Sequence, residues 1–224
     1  MAADLDMQET LSLAHIEPYT ARFDYYLAAE DGTSEHAGHW TDSLEVSKGQ
    51  VIRRVERFNL SNQVDLARAV VADQDTLAPV RVQQRFGPQL SNLYQIEFRG
   101  RQLTQVLIGN AETPARIASA ELSQSVVETG LHAVFVLALP FGINSQSTVT
   151  TYEAGAEPKT IAKTFHVVGQ ETVDVMGQEL KAWRIEDRES EWTYWVRREK
   201  PYIVKVSHPM PSGKMATSVV TQFD

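Results

Sequence analysis

Residues 191–206 read Glu191-Trp-Thr-Tyr-Trp-Val-Arg-Arg-Glu-Lys-Pro-Tyr-Ile-Val-Lys-Val206. Side chains on a strand alternate between faces, so Trp192, Tyr194 and Val196 share one face and Tyr202, Val204 and Val206 share another. Trp195 and Ile203 then point to the opposite faces of their strands. Lys200-Pro201 is turn chemistry between the two runs. A hairpin with apolar side chains on both faces does not belong to a sheet with one wet face. It suits a sheet that curls around a helix or a ligand.

The pattern continues in both directions. Downstream, Pro209–Gly213 breaks the chain before the strand Lys214–Phe223. Upstream lie Glu179–Arg188, Ile161–Val175 and Ser147–Glu153, separated by Met176-Gly177 and Gly155. The first half has the same texture, with strands expected at Tyr19–Ala29, His36–Val46, Gln50–Leu60, Val64–Ala72, Ala78–Phe86, Asn92–Arg99 and Gln102–Ile108. Asp31-Gly32, Lys48-Gly49, Gly87-Pro88 and Arg99-Gly100 punctuate them. Between the halves, Leu122, Val126, Leu131, Val134, Leu137 and Ala138 approximate a helical stripe that stops at Pro140. Thr113-Pro114 reads as a helix start and Ser125-Val-Val-Glu128 as a capping box. The reading is a mainly β chain: a curved antiparallel half-barrel, with one principal helical segment at about 115–139 packed on the concave side. Residues 1–17 read as a flexible lead-in and 18–224 as a single domain.

With 224 residues, 42% hydrophobic and 22% charged, the chain can bury a substantial core. Its formal charge of −8, with no Lys/Arg-rich run, excludes the basic face that nucleic-acid binding requires. The absence of cysteine removes disulfides, thiolate nucleophiles and Cys-type zinc sites. The longest apolar run, Ala133–Phe141, falls far short of the ~20 residues that span a bilayer. The opening residues carry neither a basic nor an apolar leader segment. Two expectations stand: a cytoplasmic protein, or an exported one whose signal has been removed.

One resemblance enters on the order of the later motifs. Leu137-Ala-Leu-Pro-Phe is followed by Val168-Gly-Gln-Glu-Thr-Val, then Ala182-Trp183-Arg184-Ile185-Glu186, then the Trp192–Val206 strand pair. This order resembles bacterial exported proteins grouped as domain of unknown function 3108, over roughly residues 130–210. The resemblance implies a half-barrel similar to the lipoprotein-carrier (Lol) fold, with helices on its concave side. It also implies a periplasmic or envelope location. It carries no catalytic residue.

Candidate sites are few. His36-Ala-Gly-His39 has i, i+3 spacing, but on a strand these two histidines face opposite ways, so no metal site is read. No glycine-rich phosphate cradle occurs, and no cofactor is expected. Asp187, Glu189 and Glu191 alternate, and a continuous strand would align them for glycan or ester hydrolysis. The nearby arginines explain them as cross-strand charge pairs instead. The aromatic set Trp183, Trp192, Tyr194, Trp195, Tyr152 and Phe165 fills a core or lines an apolar cavity. The fold resemblance, with the two-faced apolar strands, implies a non-enzymatic carrier of a lipid or acyl chain in a bacterial envelope. The alternative is a protein-interaction module that uses its sheet edge or Trp-rich hairpin, and a third reading is a hydrolase using Asp187, Glu189 and Glu191.

Overall fold

A computed structural model describes residues 13–28, 33–109, 115–153, 159–210 and 212–224. Its strands form a single sheet of fifteen. The first eight are β1 (Tyr19–Ala28), β2 (Ser34–Ser47), β3 (Gln50–Phe58), β4 (Val64–Asp73), β5 (Pro79–Phe86), β6 (Asn92–Arg99), β7 (Gln102–Ile108) and β8 (Arg116–Glu121). The short strand β9 (Val127–Glu128) leads through a 3-10 turn, Thr129–Leu131, into the helix α1 (His132–Ala138). The remaining strands are β10 (Gln146–Glu153), β11 (Lys159–Val175), β12 (Gln178–Asp187), β13 (Trp192–Val196), β14 (Ile203–Pro209) and β15 (Met215–Phe223).

The spatial order begins at β8, runs back to β1, passes to β15 and runs back to β9. Each half is a meander, and the halves join where β1 pairs with β15. All pairs are antiparallel except β9 with β10. Tight turns set the hairpin registers. Lys48-Gly49 and Met176-Gly177 both adopt positive φ at their two central positions, the geometry whose twist matches that of the flanking strands.

The edges β8 and β9 are not hydrogen-bonded to each other, so the sheet is open. It is nevertheless strongly curved. Laid flat, fifteen strands span roughly 65 Å. The link from Glu121 to Val127, however, reaches at most about 22 Å. The edges therefore approach one another, and the contacts agree. Tyr152 of β10 packs edge-to-face on Phe98 of β6 at 5.5 Å. Its hydroxyl donates to Gln105 Oε1 of β7 at 2.6 Å.

The helical expectation over 115–139 is corrected. Residues 116–121 are strand β8, paired with β7, and α1 covers only residues 132–138. Ser125 caps no helix. Glu128 caps the 3-10 turn instead, its carboxylate accepting from Gly130 N at 2.7 Å. The apparent stripe misled because residues 131–139, all apolar except His132, are buried on every side, which fits a plug rather than an amphipathic surface helix. Thr113-Pro114, Asp31-Gly32 and Gly155 lie outside the described residues. The end of the supposed lead-in is also part of the core. Leu13 and Ile16 are buried, and Glu17 N donates to the Tyr202 hydroxyl at 3.0 Å. Among the described residues, no helix is long and apolar enough to cross a membrane.

Candidate functional site

The register shows which residues of β2–β6 share the concave face. Trp40, Arg57, Leu66 and Phe86 form one cross-strand row. Asp42, Val55, Arg68, Gln84 and Tyr94 form the next, and Leu44, Arg53, Val70, Val82 and Ile96 the third. The third row is core, except that the Arg53 guanidinium reaches from it into the second. The second is a polar layer, and the first lies at the mouth of the curved sheet.

The polar layer holds the plug. The Arg53 guanidinium grips Asp42 with two bonds, at 2.8 and 3.0 Å, and donates to the Gly130 carbonyl. The Tyr19 hydroxyl donates to the same carboxylate at 3.1 Å. Arg68 pairs with Glu128, which has no exposed surface, and also reaches Thr129 Oγ1 at 3.0 Å. A side chain at position 130 would push on this latch, because an added Cβ would stand 2.7 Å from Arg68 Nε and 2.8 Å from Val70 Cγ2. At the other end of α1, Arg198 donates to the carbonyls of Leu137 and Leu139 and lies over the Phe141 ring at 3.7 Å. Those carbonyls are helix-end acceptors without an intrahelical donor.

At the start of α1, His132 stands 3.0 Å from Thr151 Oγ1. Burial, with Lys163, Arg68 and Arg53 opposing a second positive charge, holds its pKa down to about 3. The imidazole is neutral there at physiological pH. Lys163 is buried between Asp187 and Glu153, 3.4 Å from each.

The six expected aromatics do not form one site. Phe165 and Tyr194 meet under α1, where Phe135 packs on Phe165 at 5.2 Å. Both are almost wholly inaccessible, as is Tyr152 across the sheet. These rings fill space that an open cavity would require. Trp192 stacks on His208 at 4.2 Å, and Trp183 packs against Phe141. Trp195 lies on the opposite face, where it donates to Glu171 at 2.7 Å beneath the Lys205 ammonium. A bulge between Trp195 and Val196 breaks the simple alternation. It puts Ile203 opposite Val196, so Ile203 joins the buried face rather than leaving it.

The carboxylate trio does not align either, because β12 ends at Asp187 and a turn follows. Burial raises the Asp187 pKa against the pull of Lys163. Asp187 Oδ1 accepts from Ser190 N at 3.3 Å in that turn. Glu191 stays exposed. Arg184 pairs across the strands with Glu171, whereas its bond to Glu186 and the Arg188–Glu186 pair run along a single segment. His36 and His39 pack separately, on Tyr26 and Phe58.

Sequence reasoning missed the mouth. A cleft of about 880 Å³ opens there between the β3–β4 and β5–β6 turns. Val64, Leu66 and Phe86 give it an apolar wall, and Asn59, Gln63, Gln84 and Gln89 bring four carboxamides. Arg57 and Asp65 are its charged pair, joined by bonds of 2.8 and 3.2 Å. The rim is strained, since Gln89 and Leu90 both hold φ of 53°, a conformation that costs a non-glycine residue roughly 1 kcal/mol or more. Arginines in phase with valines were the available signal: Arg53 and Arg57 share a face with Val51 and Val55. No protein-family model matches the chain, and no curated protein matches its sequence.

Proposed function

We propose that this protein is a non-enzymatic binding or carrier protein for a hydrophobic molecule, a lipid or an acyl chain, and that it acts in a bacterial envelope. The cleft at the mouth carries the reading. Its volume falls within the about 300–1,000 Å³ usual for small-molecule sites. Its apolar pair, Leu66 and Phe86, lies on the same face as the core pair Val70 and Val82. Between them sit Gln84 and Arg68, and Arg68 is one of the arginines that hold the plug. A chain entering along this face meets the latch before it meets the core. The driving force is removal of apolar ligand surface from water, about 25 cal/mol per Å². The envelope location rests on the order of the later motifs alone.

Native mass spectrometry of protein purified from its own host tests this reading. A co-purifying lipid, lost on Phe86→Asp substitution in a protein that still folds, is the expected result. A ligand-free protein that also fails to bind added fatty acid or detergent overturns it.

A second reading has its own observation. The β8 edge has no partner strand on its outer side among the described residues, and Ile117 on it is 74% exposed. Such an edge suits strand addition by a protein partner. Light scattering and cross-linking with and without Ile117→Lys separate this reading from the carrier.

A further inference from the structure

The chemistry of the mouth cleft specifies more than an apolar ligand. We propose that it recognises an uncharged saccharide head, with the apolar wall taking what the head is attached to. This rests on the carrier reading for the attached chain, whereas the head group is argued from the cleft alone.

Charge comes first. Arg57 is the basic residue among those lining the cleft, and Asp65 grips it with two hydrogen bonds. The lining is therefore electrically neutral. A phosphate or carboxylate head would have to compete with Asp65 for the guanidinium, and it would bring an uncompensated negative charge beside that carboxylate. A cationic head meets the mirror-image obstacle in Arg57.

The polar inventory comes next. Side-chain carboxamides of Gln63, Gln84 and Gln89 make no hydrogen bond to any described residue. Asn59 spends its carbonyl on Ser61 N and Gln63 N, at 2.9 and 3.1 Å, which leaves its amide hydrogens to the cleft. Each carboxamide presents a donor pair and an acceptor, and a sugar hydroxyl both donates and accepts. Several neutral groups with this dual character match a polyhydroxylated ring. They have no comparable match in a fatty acid, whose head is a single anion.

Placement is the third strand. Gln84 is the cross-strand partner of Arg68, so it stands at the inner limit of the cleft. Phe86, two residues along the same strand, shares its face. A sugar seated there contacts a carboxamide with its hydroxyls and an aromatic ring with its C–H face, and its aglycone runs along Leu66. A free glycan and a glycolipid head share this chemistry.

The test compares four probes, kept below their micelle concentrations, by isothermal titration calorimetry and protein-detected NMR. Dodecyl maltoside, dodecyl phosphocholine and laurate carry matched chains with different heads, and maltotriose carries no chain. The expected result is dodecyl maltoside binding at least about tenfold tighter than laurate or the phosphocholine. Shifted resonances should map to Gln84 and Gln89, and Gln84→Leu should erase the preference by weakening maltoside binding at least about tenfold relative to laurate. Laurate or phosphocholine binding as tightly as the maltoside overturns the saccharide head and leaves the carrier intact. Maltotriose binding as tightly as the maltoside supports the head and overturns the carrier. Silence from all four probes overturns both.

Discussion

At the plugged end of the concave face, each buried charge has a counter-charge: Arg53 with Asp42, Arg68 with Glu128, Lys163 with Asp187. At the mouth, a few residues along the same strands, the carboxamides of Gln63, Gln84 and Gln89 make no hydrogen bond to a described residue, and Gln89 and Leu90 are held in left-handed conformations. The same sheet thus carries one region where polar groups are consumed by folding and another where they are left over. Ionic grip at the plug fixes geometry, while unspent hydrogen-bonding capacity at the mouth is what a ligand can use.

Substitutions should separate the two regions by magnitude. Arg68→Ala leaves Glu128 buried without its cation, and removing one member of such a pair costs about 3–5 kcal/mol. Phe165→Ala empties the ring that meets His132, Phe135 and Tyr194, with a loss of about 3–5 kcal/mol. Urea unfolding followed by Trp fluorescence measures both. If either variant unfolds at the parent midpoint, the plugged end is not the stabilising region.

His132 sharpens the contrast through pH. In the unfolded chain its imidazole titrates near 6.5, and in the folded protein near about 3. Between those values the unfolded state binds the extra proton, so stability is lost as pH falls from about 6.5 towards 3, by up to a few kcal/mol. Unfolding free energies at pH 7 and pH 4.5 should differ less in His132→Gln than in the parent. Equal differences would mean that the imidazole is not the group responsible.

At the mouth the expected change is small and of opposite sign. Gln89→Gly relieves a left-handed residue and should stabilise by about 0.5–1 kcal/mol, seen as a modest rise in melting temperature. Binding of the maltoside should weaken in the same variant. A large loss of stability there would put the mouth in the same class as the plug.

How far the sequence reveals these regions follows from what each strand carries. β6 and β7 were readable to the residue, because Tyr94, Ile96 and Phe98 alternate with polar residues and Arg99-Gly100 marks the turn between two short apolar-rich runs. The segment 116–121 was not. Arg-Ile-Ala-Ser-Ala-Glu suits a helix as well as an edge strand, and only pairing with β7 decides. Of the site residues, Tyr152, Phe165 and Tyr194 were legible as buried aromatics, though not that they fill their space completely. The plug's charges look like surface charges in a linear reading, and their burial depends on partners such as Glu128, far away in sequence from Arg68. The cleft joins residues from 57 to 89 through two turns, and carboxamides have no periodic signature, so beyond the phase of Arg57 with the valines of β3 nothing local announced it.

The pairing of β1 with β15 has a kinetic consequence. Every other antiparallel contact joins strands that are neighbours in sequence, so hairpins of both halves can form while the chain is still emerging. The central join cannot, because Ala21 waits for Phe223. Until β15 arrives, β1 and β14 each present an open edge in what will become the middle of the sheet, and long-range closure of this kind is slow. Nascent chains of this protein should therefore depend on holding factors that shield β-strand edges. The interval of exposure is set by the rate of synthesis rather than by the stability of either half.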